Sequence, residues 1–278
     1  MNYSFLPAMS KATLEDYEKL FHDCFQGNTK LNIDYLKWQY VNNPHGKVIG
    51  VDAFLGDELA AHYSIIPRKY VSGTTVFNAA LSVNTATSPK HQGKGLFKNL
   101  AKSTYEQAEA AGVQFVFGVA NANSIGGFVR RLEFTDLGSV GLYLQSKAQV
   151  FETASLSLKV DQEWLNWRLS NPSRTYKLIA HGNGASVRSK IDKYNFNIAW
   201  LGSDINIEPL LAIDGVEKGS SVLPVFTPVF GVKKNKLFKL PARFQPSPWR
   251  VIARAFDTNI DQEIFDKLVF DGMAMDTF

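Results

Sequence analysis

The stretch Thr87–Gly112, TSPKHQGKGLFKNLAKSTYEQAEAAG, decides how the chain is read. Before it, Phe77–Thr87 reads as a strand. Within it, Gly93 and Gly95 flank Lys94, and an amphipathic run from about Leu96 to Ala111 follows at once, with Gly112 placed to cap its C-terminus. Strand, glycine-rich turn and helix in that order put unpaired backbone N–H groups at a helix N-terminus, where the helix dipole adds partial positive charge. Such an end suits a phosphate. The glycines let the backbone approach a ligand and adopt positive φ, and Lys90, Lys94 and Lys98 add charge around it. A tight turn with solvated lysines is the other reading of the same residues. The spacing is neither a Walker loop, which needs Gly-x-x-x-x-Gly-Lys-Ser/Thr, nor a dinucleotide fingerprint, which needs a third glycine.

Outward from this stretch, Leu14, Tyr17, Leu20, Phe21 and Phe25 recur at helical spacing, with Thr13 and Asp16 set as a capping box. A second helix spans Ile33–Val41 and stops before Asn42-Asn43-Pro44. Val48–Leu55 and Glu58–Ile66 form a hairpin about Gly56-Asp57, which Pro67 ends. Val71–Val76 is a short strand. Val113–Ala120 is apolar throughout and reads as a strand buried on both faces, followed by a short helix over Ser124–Arg131 and a strand over Val140–Leu144. The segment YLKWQYVNNP (Tyr35–Pro44) returns as WLNWRLSNP (Trp164–Pro172), one residue shorter, and a strand–turn–strand pattern follows both copies. This suggests a duplicated unit, with one domain over 1–149 and a second, reduced one over 150–278 that lacks a glycine loop of its own.

With 278 residues, 45% of them hydrophobic, the chain can bury a large core. Its net charge of +4 suits an anionic ligand, but no dense Lys/Arg stripe points to nucleic acid; the nearest are Lys233–Lys236 and Arg130-Arg131. The single cysteine, Cys24, fits a reducing compartment. No signal peptide is evident, and no apolar run approaches the roughly 18–20 residues that span a bilayer. The expectation is a cytoplasmic protein. No His, Cys or carboxylate cluster has metal-ligand spacing, so no metal is expected.

The loop resembles that of the GNAT acyltransferase superfamily, which holds the pyrophosphate of acyl-coenzyme A with Gln/Arg-x-x-Gly-x-Gly/Ala. Gln92-Gly93-Lys94-Gly95-Leu96-Phe97 matches through Gly95, and Phe97 departs from the final small residue. NANSIGGFVRRLEF (Asn121–Phe134) resembles a downstream segment of the branch linked to surface-polysaccharide loci, with Ala122, Phe128 and Glu133 as departures. The resemblance covers about residues 45–145. It implies an α/β fold with a mixed, mostly antiparallel sheet flanked by helices, and N-acyl transfer from acetyl-coenzyme A (or another acyl-coenzyme A) to a small amine, with an amino sugar as candidate acceptor.

It also implies roles. Val83 and Thr85 offer main-chain groups to the pantetheine arm, Thr85 an oxyanion donor as well. The N–H groups of Gln92, Gly93, Lys94, Gly95, Leu96 and Phe97 hold the pyrophosphate. Asn121 and Asn123 flank the arm where the two central strands splay; a turn that caps the next helix is their alternative role. His62 is the candidate base, a hydrogen-bonded core histidine being the alternative. Asn84 stands where relatives carry an aspartate and can orient an amine. Many relatives protonate the leaving thiolate with a tyrosine at the position of Phe128; here Ser124 is the candidate substitute acid, departure of an unprotonated thiolate being the alternative. Asp276 would meet a cationic substrate if the C-terminal end forms a strand near the cleft, surface solvation being the alternative. Two other functions fit the same features: a non-catalytic acyl-coenzyme A-binding scaffold, favoured by Phe128, and a Fem-type aminoacyl transferase, which carries a helical arm not found here.

Overall fold

The computed structural model describes all residues except 1, 26–27, 146–155, 182–183, 192–193, 203, 221–224, 231–237, 240, 242–248 and 276–278. Asp276 and Lys233–Lys236 therefore lie outside the described residues. In chain order the first elements are β1 (Ser4–Pro7), α1 (Leu14–Cys24), α2 (Ile33–Leu36), β2 (Ile49–Leu55), β3 (Glu58–Ser72), β4 (Thr75–Thr87), α3 (Leu96–Ala110), β5 (Phe115–Ala120), α4 (Ile125–Leu132) and β6 (Thr135–Ser139). Then come β7 (Gly141–Gln145), β8 (Ser157–Leu158), α5 (Gln162–Leu169), β9 (Tyr176–His181), β10 (Gly184–Ile191), β11 (Tyr194–Gly202), β12 (Val216–Lys218), β13 (Val225–Phe230), β14 (Phe238–Lys239), β15 (Arg250–Ala255), α6 (Gln262–Asp266) and β16 (Phe270–Asp271). The chain divides into two compact units, one of Met1–Lys69, Phe77–Asp136 and Ile252–Ile260, the other of Tyr70–Val76, Leu137–Val251 and Asp261–Phe278.

The first sheet runs β1-β2-β3-β4-β5-β15-β6, with β8 also on β3. Helix α1 begins with the expected capping box: Asp16 N–H donates to Thr13 Oγ1 and Thr13 N–H to Asp16 Oδ2. Its buried face is Tyr17, Leu20 and Phe21. Helix α3 buries Leu96, Leu100, Ala101, Thr104, Tyr105 and Ala108 in a core with Tyr63, Ile65, Val116, Phe128, Leu132 and Ile252. Gly112, at φ +76°, follows its end.

Pro67 does not end the hairpin. β3 continues through it to Ser72, and the next strand begins at Thr75 after Gly73, at φ +58°. The last β2–β3 pair is Ile49↔Ile65 and the first β8 pair is Tyr70↔Leu158. Pro67 falls in the gap between these partners, where its missing N–H interrupts neither ladder.

The second helix also departs from expectation. After α2, Lys37–Val41 forms a π-turn, closed by Asn42 N–H donating to Lys37 O, five residues back. From the N-cap Asn32 to Asn43 is one residue more than from the N-cap Asp161 to Asn171 in the α5 segment, and a π-turn absorbs one extra residue. Both asparagines then make the same turn: Asn43 Oδ1 accepts from His45 N and Asn171 Oδ1 from Ser173 N.

In the second unit the sheet order is β12-β9-β10-β11-β13-β7-β14, with β16 on β13. Here α5 buries Trp164, Leu165, Trp167, Arg168 and Leu169. The Arg168 guanidinium donates to Met273 O, Met275 O and Tyr176 Oη, which tethers the segment after β16. Asp271 accepts from Met273 N. Burial raises the pKa of its carboxyl from 3.8 to about 7, against the lowering effects of that bond and of Arg168. Between those two values the folded chain holds a proton that the unfolded chain has lost, so stability falls as pH rises across the window. Urea midpoints taken from pH 4 to pH 7 should decline, and Asp271→Asn should flatten the decline; an unchanged slope in the variant would exclude Asp271 as its source.

Candidate functional site

Strands β4 and β5 are the two central parallel strands, paired only at Ala79↔Phe115, Ala80↔Val116 and Leu81↔Phe117. β4 runs on to Thr87 and β5 to Ala120, so both continue past their last pair and part. At this point Asn84 takes φ +51°, a left-handed conformation that asparagine tolerates better than most residues. Val83 and Thr85, on either side of it, are half-buried, at the mouth of the splay.

Beyond Thr87 the chain enters the glycine loop. His91 pins its start: it is buried, with Nδ1 2.9 Å from Tyr3 Oη and Nε2 3.4 Å from Glu58 Oε1. Gln92 donates through Nε2 to Thr87 O, closing the loop on itself. Gly93 and Gly95 sit at φ +73° and +75°, and a Cβ on either would meet nothing within 4 Å. The glycines are thus required by backbone conformation and face open space. Gly95 is the N-cap of α3, with no side-chain cap. The first intrahelical bond is Asn99 N–H to Gly95 O, so the N–H groups of Leu96, Phe97 and Lys98 precede the helical ladder. Gln92 to Gly95 are exposed, Lys94 among them.

The side chains of Leu96 and Phe97 have a different task. Leu96 is buried in the core. The Phe97 ring packs edge-on against Phe128, at 5.5 Å, and against Tyr63, at 6.0 Å. A Cβ at Gly127 would stand 3.3 Å from Phe97, which accounts for a glycine inside α4. Phe128 is buried between Phe97 and Phe134. The aromatic departures from the family pattern, Phe97 and Phe128, are therefore partners in one packing contact.

At the end of β5, Asn121 Oδ1 accepts from the N–H groups of Asn123 and Ser124. Ser124 Oγ accepts from Asn121 N–H and lies 3.2 Å from Asn121 Oδ1. This is the turn that starts α4. It commits the Asn121 side chain and the Ser124 hydroxyl to the backbone, while Asn121 and Asn123 remain exposed.

His62 is fully buried on β3, directly opposite Asp52 of β2. Its Nδ1 is 2.6 Å from Asp52 Oδ1 and its Nε2 2.9 Å from Tyr40 Oη. Tyr17 donates to the other Asp52 oxygen. Tyr40 Oη also accepts from Asn84 Nδ2, at 3.0 Å, and lies 3.2 Å from Ser64 Oγ, which donates to Val83 O. The remaining Asn84 bond runs to Gln39 Oε1. His62 thus meets no solvent, and both ring nitrogens are engaged. It can act on a substrate proton only through Tyr40. Asp52, Tyr40 and Tyr17 were not visible from sequence as site residues. The available signal was a lone carboxylate inside the apolar run Ile49–Leu55.

Residues 7–135 match the family model of an acetyltransferase (GNAT) domain. Among solved structures, the chain is similar to a GCN5-related N-acetyltransferase from Kribbella flavida (13% identity, TM-score 0.62, covering 92% of this chain and 72% of that one). It is also similar to an Enterococcus faecalis protein described as a probable N-acyltransferase (10%, 0.59, 92% and 73%), and to a GCN5-related N-acetyltransferase from Anabaena variabilis (12%, 0.55, 91% and 73%). At these identities the likeness is one of fold. No curated protein matches the chain. Among the described residues, no helix is long and apolar enough to cross a membrane.

Proposed function

We propose that the protein is an acyl-coenzyme A-dependent N-acyltransferase that moves an acetyl or short acyl group to the amine of a small acceptor. The observation that carries this reading is the loop. Two left-handed glycines deliver the chain from a splayed β4 into the uncapped N-terminus of α3, with open space where their side chains would be. Pyrophosphate carries the charge and acceptor oxygens that such an end attracts. The pantetheine arm would then lie in the splay, taking main-chain bonds from Val83 and Thr85, with the thioester carbonyl on the Thr85 N–H.

Acyl transfer further requires that the amine shed a proton before attack and that the thiolate leave. The packing of Phe128 and the turn made by Ser124 speak against either as the acid. A thiol pKa of about 8.5 lets the thiolate depart unprotonated near neutrality. An amino sugar is the acceptor to try first, on the resemblance of Asn121–Phe134 to the surface-polysaccharide branch. The matching Asn-Pro turns after α2 and α5 support reading 1–149 as a GNAT-like unit and 150–278 as a reduced second copy. The test is calorimetric titration with acetyl-coenzyme A, alongside thiol release across primary amines. Binding with amine-dependent release is expected. Binding without turnover on any amine would favour a scaffold, and no binding would end the reading.

A further inference from the structure

Asp52, His62 and Tyr40 form one hydrogen-bonded line from the interior of the first unit to Asn84 on β4. We propose that they form a proton relay that takes the proton the acceptor amine must shed, an inference that rests on the acyltransferase reading.

The hydrogen-bond inventory fixes the direction. An ionised carboxylate only accepts, so the His62 proton sits on Nδ1 toward Asp52 Oδ1, and Nε2 is left as an acceptor for the Tyr40 hydroxyl. Tyr17 fills the second Asp52 oxygen, which closes the inner end. At the outer end Tyr40 Oη takes a bond from the Asn84 amide. That N–H donor marks the place where a substrate N–H would stand, beside the half-buried Val83–Thr85 mouth of the splay.

Two local irregularities create this line. The π-turn at Lys37–Val41 sets Tyr40 toward β3. A bulge in the β2–β3 ladder between Ala53 and Phe54 brings Asp52 opposite His62. Such features recur where function re-aims a side chain. A fold needing only stability here would do as well with apolar side chains, since buried charge pairs contribute little net.

The proton count closes. An acceptor ammonium donates to Tyr40 Oη in place of the Asn84 amide. Its N–H bond breaks as a new O–H bond forms, while the phenol's own proton passes to His62 Nε2. The phenol ends unchanged, the nitrogen lone pair is free to attack the thioester, and the imidazolium is balanced by Asp52. After the amide departs, the proton returns to solvent by the same route. Burial raises the Tyr40 pKa, so the phenol relays the proton and does not rest as phenolate. The titratable groups packed round the ring are Asp52 from β2, Tyr17 from α1 and Tyr40 from the π-turn, with Phe21 of α1 completing the wall. Asp52 is the charged one among them.

The test compares the wild type with Tyr40→Phe, His62→Gln and Tyr63→Phe, following acetyl-coenzyme A turnover with a primary-amine panel led by glucosamine. Thermal melts establish folding. Tyr63 is the matched control: its hydroxyl is buried in a separate cluster with Ser82 and Tyr105. Tyr40→Phe and His62→Gln should each lower kcat about 100-fold or more near neutral pH, the low end for general-base catalysis. Their KM for acetyl-coenzyme A should stay within about twofold, since the loss is confined to the chemical step. Their rates should also climb about tenfold per pH unit, because only the neutral amine then reacts, while the wild type levels off. Tyr63→Phe should lose stability and keep its rate.

A folded Tyr40→Phe with wild-type kcat and pH profile overturns the relay alone. So does an equal fall in Tyr63→Phe, whereas a wild type that binds coenzyme A yet acylates no amine overturns the acyltransferase reading and the relay with it. A wild type that does not bind coenzyme A overturns the acyltransferase reading itself.

Discussion

Gly95→Val is expected to weaken coenzyme A binding about 100-fold or more while leaving a folded protein. Losing two hydrogen bonds to charged phosphate oxygens costs about 1.5–3 kcal/mol each, and every 1.4 kcal/mol is worth about tenfold. A Cβ at Gly95 meets no protein atom within 4 Å, so the added side chain points where a ligand would approach. Its backbone, at φ +75°, costs a side-chain-bearing residue roughly 1–2 kcal/mol, a modest share of a domain's typical stability of about 5–15 kcal/mol. Titration with acetyl-coenzyme A, beside a thermal melt, separates the two effects. A variant that melts within a few degrees of wild type and binds as tightly would remove the loop from the site. Gly93→Ala repeats the test with a smaller side chain, since Gly93 has the same handedness and the same open surroundings.

The glycine loop was legible because its signal is local. Two glycines, a preceding strand and a following amphipathic run lie within one short segment, and each says the same thing. The relay was not legible, and the reason is register. A two-residue turn at Gly56-Asp57 pairs Leu55 with Glu58 and Phe54 with Leu59. Carried on without a shift, that register would set Asp52 opposite Ala61. The bulge after Ala53 moves it to His62. In the same way, a regular helix through Lys37–Val41 would turn Tyr40 to a different bearing from the one the π-turn gives it. One-residue shifts of this kind leave composition and periodicity almost unchanged, yet they reassign every partner beyond them. The roles of Asn121 and Ser124 were half legible. Their capping chemistry follows from residue type, and the structure gives them the turn. Pro67 misled because proline usually marks a strand's end, and only the pairing of β2 and β8 shows where its missing donor does no harm.

Trp164→Ala should destabilise the fold by about 3–5 kcal/mol, as for other buried aromatics. Trp164 is 0% exposed, Trp167 is 7% exposed, and their ring centroids stand 5.9 Å apart. Spaced three residues apart, the two rings share one helix face. Helix α5 has eight residues, too few to hold together alone in water. Its N-terminus is fixed by Asp161, whose Oδ1 accepts from Trp164 N–H, but the cap contributes only about 1 kcal/mol. Most of the helix's stability must come from the buried face, and Trp164 is its largest part. The loss should reach further than the helix, because Arg168 hangs from the same turn and ties Met273 and Met275 to it. Trp164→Phe, which keeps an aromatic ring in place, should recover much of the difference. Urea unfolding followed by far-UV circular dichroism reads both variants. A loss below about 1 kcal/mol for Trp164→Ala, the size expected of surface changes rather than core cavities, would mean that the face bearing the two tryptophans does not hold the second unit together.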